Sequence, residues 1–213
     1  MFADRAEAGR RLAERVKALA LPRPVVLALP RGGVPVAAVV ARSLGAPLGL
    51  IFVRKIGVPG HEELAAGAVA EGAEPVFNAR VLASIGKRAQ DFAGIVAAKR
   101  AEIADRRALY LGGAADPDLT DATAVVVDDG IATGATLRAA LATLRGRGTA
   151  RIVLAVPVAP VEARADFAGL ADDILILEEP RDFWAVGAHY RSFPQTSDAE
   201  VIATLAAARP PPA

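Results

Sequence analysis

The chain has 213 residues, 53% of them hydrophobic, with a formal net charge of +1 and no cysteine. That length suits a single α/β domain with a small appendage. The near-neutral charge leaves no electrostatic footprint for nucleic acid or an anionic membrane, and the lack of cysteine excludes disulfides, thiolate metal sites and a thiol nucleophile.

In chain order, Ala3 to Ala20 reads as a helix with Leu12, Val16 and Leu19 on one face. Asp4 and Glu7 are spaced for a capping box at its start. Acids and bases are mixed there, with no apolar signal core, and no apolar run reaches the ~18 residues of a membrane span. The expectation is a soluble cytoplasmic protein. Val25 to Leu29 reads as a buried strand broken by Pro30-Arg31-Gly32-Gly33. A helix follows over Val34 to Leu44, then a second strand over Leu48 to Val53. Residues 54 to 66 read as an irregular loop, and 67 to 70 with 74 to 77 as a hairpin-like excursion.

Asn78 is placed to cap helical sequence. From Lys87 to Tyr110, Phe92, Val96, Ile103 and Tyr110 form an apolar stripe, and Glu102 with Arg106 has i, i+4 spacing for an ion pair. A polar connector, Gly112 to Asp121, leads to a strand at Val125–Val127. Leu137 to Leu144 reads as a helix, Arg151 to Val156 as a strand, Val161 to Leu170 as a helix and Ile174 to Leu177 as the last strand. Residues 178 to 197 read as irregular. Asp198 is expected to cap a final helix, and Pro210 to Pro212 to form a frayed tail. Strands alternating with helices predict a parallel sheet flanked by helices.

One stretch carries most of the functional information: Ala124 to Thr136, Ala-Val-Val-Val-Asp-Asp-Gly-Ile-Ala-Thr-Gly-Ala-Thr. A run of β-branched residues suits a strand buried on both faces. Asp128 and Asp129 then fall at its carboxyl end, where open α/β sheets place ligands. Paired carboxylates there accept hydrogen bonds from vicinal hydroxyls. Gly130 and Gly134 allow close backbone approach. The amides of residues 131 to 136, the hydroxyls of Thr133 and Thr136 and the start of the next helix favour an anion. The implied ligand bears both a diol and a phosphate. A Walker loop is excluded because the segment has no lysine, and a dinucleotide fingerprint because Gly130 and Gly134 have the wrong spacing.

Val125 to Thr136 closely resembles the phosphoribosyl pyrophosphate (PRPP) signature of type I phosphoribosyltransferases. The resemblance implies that family's fold: a parallel sheet flanked by helices, here one domain over 1–213. Its core would cover about 22–177, with a helical insertion at about 78–111 and a C-terminal hood at about 178–208. By position, Asp128 and Asp129 take the ribose hydroxyls. Ile131, Ala132, Thr133, Gly134, Ala135 and Thr136 take the 5′-phosphate. Arg31, Gly32 and Gly33 resemble the family's pyrophosphate loop, which often contains a cis peptide. Arg54-Lys55 resembles a dipeptide preceding the flexible loop of adenine and orotate enzymes; the alternative is a solvated basic pair at a strand end. His61 either joins that loop's closure over pyrophosphate or is a surface residue. Phe183 and Trp184 either stack on an acceptor base or tack the C-terminal segment to the core. His189 reads as structural. Phe2-Ala3-Asp4-Arg5, the long helical insertion and the Phe183 to Phe193 region also resemble a bacterial group of phosphoribosyltransferase-like proteins.

The activity implied is transfer of 5-phosphoribosyl from PRPP to a nitrogen acceptor, such as a nucleobase or related amine, with release of pyrophosphate. Asp128, Asp129, Arg31 and Lys55 would carry it. Mg²⁺ would arrive on PRPP, with no direct protein ligand assigned. Partners would be small molecules, not nucleic acid or membrane, with a homo-oligomer open. The alternative is a regulatory PRPP or nucleotide sensor without turnover.

Overall fold

The computed structural model describes residues 1–208, apart from the side chains of Glu62 and Glu63. Its centre is a five-stranded sheet of β1 (Pro24–Ala28), β2 (Leu48–Leu50), β6 (Thr123–Val127), β7 (Arg151–Val158) and β8 (Asp173–Glu178), all parallel in the order β2-β1-β6-β7-β8. The chain leaves β1 toward β2 on one side and later returns to pair β6 on the other. The β1/β6 junction is therefore the point where strand order reverses, and the crevice above it is the expected ligand position.

Strand alternation sorts the core into two layers. Val26, Ala28, Val125, Val127, Val153 and Ala155 face α1 (Arg5–Lys17), α2 (Gly33–Leu44), α4 (Ala93–Leu111) and α7 (Asp198–Ala208). Leu27, Ala124, Val126, Ile152, Leu154 and Val156 face α5 (Ala135–Arg145) and α6 (Ala163–Phe167). Both faces are covered, which is why the central strands read as unbroken apolar runs.

The segment expected to be an irregular loop, 54 to 66, is ordered as an antiparallel ribbon. β3 (Val53–Val58) pairs with β4 (His61–Ala70), with register shifts at Ile56 to Val58, and β4 pairs with the short β5 (Val76–Phe77). The turn signals Gly57, Pro59 and Gly60 mark a bulge and a tight turn rather than a loss of strand. The predicted strand Leu48–Val53 is split: β2 ends at Leu50, and Val53 starts the ribbon. The ribbon lies between α4 and α5, burying Phe52, Ile56 and Val58 on the α4 side and Val53 and Ala68 on the other.

Helix ends follow local chemistry. Asp4 Oδ1 accepts from Glu7 N at 2.8 Å, and the Glu7 carboxylate reaches back to Ala3 N, so the predicted box forms one residue wider. Asn78 caps α3 (Ala79–Ser84) through Arg80 N and Val81 N. The predicted helix Val161–Leu170 contracts to α6. Asp198 is the first residue of α7, not its cap. Ser197 and Glu200 cap it reciprocally, at 2.7 Å from Ser197 N to Glu200 Oε2 and 3.2 Å from Glu200 N to Ser197 Oγ. The apolar stripe of α4 is buried as expected, but the Glu102–Arg106 pair does not form. Glu102 pairs with Lys99 and Arg54, and Arg106 with Asp198. Pro210 to Pro212 lie outside the described residues. Among those residues no helix is long and apolar enough to cross a membrane.

Candidate active site

Two loops meet above the β1/β6 junction. After β6, Asp128 and Asp129 leave the sheet; after β1, the chain passes through a cis Pro30–Arg31 peptide into Gly32 and Gly33. The glycines are needed because the loops touch. A Cβ on Gly32 would collide with the Asp129 carboxylate, and one on Gly33 would lie 2.8 Å from Val127 O and 2.9 Å from Asp128 Cα. Gly33→Ala is thus opposed by backbone that cannot move without shifting β6. It is expected to destabilise the fold by about 1–3 kcal/mol, as overpacking does, measurable by denaturant unfolding.

Asp128 Oδ1 accepts from Asp129 N at 2.9 Å. Burial, and then the neighbouring Asp129 charge, pushes its carboxyl well above the usual carboxylate range. Asp129 is also raised by burial, against the opposing pull of Arg5. Arg5 is the residue that motif reasoning missed. From the first turn of α1 it brings Nε within 2.9 Å and Nη2 within 2.8 Å of Asp129 Oδ2, with both side chains at most 14% exposed. Its Nη1 donates to Pro194 O at 2.7 Å, and its guanidinium lies 3.7 Å from the Phe193 ring centroid. The only sequence signal was its place in Phe2-Ala3-Asp4-Arg5; nothing local shows that the first helix reaches the end of β6. Tyr190 OH donates to Asp129 O at 2.7 Å. Burial raises the Tyr190 phenol, and the Asp129 charge adds to this, so it stays a donor.

The residues expected to hold the 5′-phosphate sit together at the start of α5. Gly134 is left-handed with φ of 70°, and no side chain caps the helix. The first-turn amides therefore lack intrahelical carbonyls, and Ala132, Thr133 and Thr136 beside them are exposed. Ile131 is different. Its side chain is in the core and its N donates to Val158 O at 2.9 Å, so its amide is already committed.

The basic dipeptide is split by strand alternation. Arg54 turns to the α4 side, 3.4 Å from Glu102, and shares a cavity of about 620 Å³ with Arg31 and Arg106. Alternation puts Lys55 on the face of the ribbon opposite Arg54, and it is partly buried. His61 is exposed where β4 starts after the turn. Arg54, Lys55 and His61 thus stand on one antiparallel ribbon, Arg54 and Lys55 as neighbours on β3 and His61 at the start of β4.

The hood is built from both ends of the chain. Phe2 N donates to His189 O at 2.8 Å and Arg191 N to Phe2 O at 2.8 Å. Phe2, Ala8, Val158 and Tyr190 form a small core with Phe183, Val186 and Phe193 at its edge. Phe183 stacks on His189, 5.4 Å between centroids and 7° apart, whereas Trp184 is 81% exposed. Neither lines the cavity of about 400 Å³ beside Asp129, which is walled by Arg5, Arg31, Gly32, Phe193, Gln195 and Thr196. α7, included in the expected hood, instead packs Val201 and Leu205 into the main core. A further cavity of about 610 Å³, lined in part by Pro24, Leu48 and Leu205, lies at the amino ends of the strands, away from these groups.

Among the described residues, no three or more His, Cys, Asp or Glu side chains gather to hold a metal. Arg5 engages one oxygen of Asp129, Oδ2, through both Nε and Nη2.

Comparison with known proteins agrees with this geometry. A Thermus thermophilus protein, TT1426, has a crystal structure that superposes with a TM-score of 0.84 at 42% identity, covering 96% of this chain and 97% of that one. A Neisseria gonorrhoeae protein crystallised with bound ppGpp shares the fold at 15% identity and a TM-score of 0.53, covering 96% and 93% of the two chains. A Mycobacterium tuberculosis protein (strain H37Rv), provisionally named a phosphoribosyl transferase, is 46% identical over 205 residues. These are 96% of this chain but 46% of that protein, so the chain spans about half the length of the curated relatives it matches. The family described as phosphoribosyl transferase domain matches residues 4–190, and the chain belongs to that family.

Proposed function

We propose that the protein transfers 5-phosphoribosyl from PRPP to a nitrogen acceptor and releases pyrophosphate. The observation that carries this reading is the meeting, at the point where strand order reverses, of an acidic pair, a glycine loop with a cation and an uncapped helix start. These are receptors for a diol, a leaving pyrophosphate and a terminal phosphate.

Asp128 and Asp129 accept the ribose hydroxyls. Because Arg5 occupies Oδ2 of Asp129, Oδ1 is the oxygen that serves the ribose. Residues 132–136 hold the 5′-phosphate. The acceptor nitrogen attacks C1 as the C1–O bond to pyrophosphate breaks, its electron pair leaving with pyrophosphate. The transition state resembles an oxocarbenium ion. The acidic pair lies beside that cationic ring, and Arg31 meets the charge gathering on the leaving group. Bound with the substrate, Mg²⁺ would add further neutralisation of the leaving group beside Arg31. The acceptor, a nucleobase or related amine, faces Phe193, Gln195 and Thr196 rather than Trp184. A cytoplasmic setting is part of the proposal.

Titration calorimetry should show saturable PRPP binding in the presence of Mg²⁺ that weakens with a chelator. No heat at millimolar PRPP would overturn the reading. Pyrophosphate release over a panel of nucleobases and small amines then identifies the acceptor. Tight PRPP binding with no turnover across the panel would favour a sensor.

A further inference from the structure

The helical insertion ends against the pyrophosphate loop, and the contact is charged. Asp198 Oδ1, at the start of α7, accepts from Tyr110 OH at 2.6 Å, Arg106 Nη1 at 3.0 Å and Arg31 Nη1 at 3.5 Å. Arg106 Nη1 also lies 2.6 Å from Tyr110 OH. One carboxylate oxygen thus gathers donors from the cis loop and from α4. Tyr110 is a fixed post for this cluster, its ring 3% exposed and stacked on Phe52 at 6.2 Å. The hydrogen bond from Tyr110 holds the Asp198 carboxyl below its ordinary range. Beside the cluster opens the cavity of about 620 Å³ walled by Arg31, Arg54 and Arg106 with Glu102 and Asp105. Glu102 is already neutralised by Lys99 at 2.6 Å and Arg54 at 3.4 Å.

We propose that Arg106 of α4 is a further ligand of the pyrophosphate group, and that Asp198 is an internal carboxylate standing in its place until pyrophosphate displaces it. The inference rests on the transferase reading above. A carboxylate and a phosphate use the same charge-assisted donors. Here the carboxylate serves Arg31 and Arg106 through a single oxygen. A diphosphate has several oxygens and more charge, so it offers each guanidinium its own acceptor. Asp198 competes with a diphosphate for Arg31 Nη1, 3.5 Å away, and for Arg106 Nη1, 3.0 Å away, because both face the same oxygen. The insertion thereby supplies a leaving-group cation from a rigid helix.

The test is calorimetric titration of the full chain with inorganic pyrophosphate and Mg²⁺, with melting temperatures as a check on folding. Arg106→Gln is expected to weaken pyrophosphate binding roughly tenfold, the loss of a hydrogen bond to a charged group. Asp198→Asn keeps an acceptor for Tyr110 but removes the competing charge. It is expected to tighten pyrophosphate binding about two- to fivefold, the scale of an exposed ion pair, and to lose that effect in the Arg106→Gln background. A purely structural role for Asp198 would leave affinity unchanged or lower it, and that result overturns the inference. So does Arg106→Gln binding like wild type, or wild type not binding pyrophosphate at all. PRPP binding that depends on Asp128 but is indifferent to Arg106 and Asp198 would defeat this inference alone. Absence of PRPP binding would defeat the transferase reading as well.

Discussion

Asp128→Asn is expected to leave the unliganded protein as stable or more stable than wild type while weakening PRPP binding roughly tenfold to a hundredfold. The binding loss is that of a hydrogen bond to a charged group, on the order of 1.5–3 kcal/mol. The stability gain follows from the direction of the carboxyl shift. Burial and the Asp129 charge raise the folded-state value above the ~3.9 of an unfolded aspartate. The folded chain therefore holds the proton more tightly than the unfolded one. This group's contribution to stability is complete below the unfolded value and is lost as pH rises through the raised folded value. Wherever the carboxyl ionises, its charge burdens the fold, and an amide still accepts from Asp129 N without that burden. Thermal melts with PRPP titration check both halves; a destabilised Asp128→Asn that binds PRPP normally would refute the assignment. Asp129→Asn should weaken PRPP similarly but destabilise, because it removes the only carboxylate paired with the largely buried Arg5 guanidinium among the described residues.

Arg31→Ala should reduce turnover more than it weakens PRPP binding, with about 2–4 kcal/mol added to the barrier by analogy with removal of one electrostatic donor at a developing charge. Holding the ground state needs only contact, whereas departure of pyrophosphate needs a cation that gains interaction as the C1–O bond breaks. Arg31 is placed for this by the loop whose Gly32 abuts Asp129. Lys55→Ala is expected to act less on the leaving group, because the strand turns Lys55 away from the Arg31 face. Steady-state pyrophosphate release beside direct PRPP affinity makes the measurement. Equal losses in the two would deny Arg31 a transition-state role.

The sequence by itself determined the elements whose reasons are local. Val125 to Val127 had to be a doubly buried strand, and Asp128 and Asp129 had to stand at its end. Gly134 had to turn the chain into α5, and Asn78 had to cap α3. The spacing of these residues also carried the family resemblance, and with it the parallel sheet. The tertiary structure decided whatever depended on residues far apart in the chain. The ribbon over 54 to 66 is strand because β3 and β4 pair and are covered by helices on both sides, which outweighs the turn signals of Gly57, Pro59 and Gly60. Strand alternation, a period of two that a dipeptide match does not register, separated Arg54 from Lys55. Long-range packing brought Arg5 across to Asp129 and Asp198 to Arg31, 124 and 167 residues distant. Local sequence specifies which groups a loop offers. The charges that face them are set by how helices at the two ends of the chain pack on the sheet.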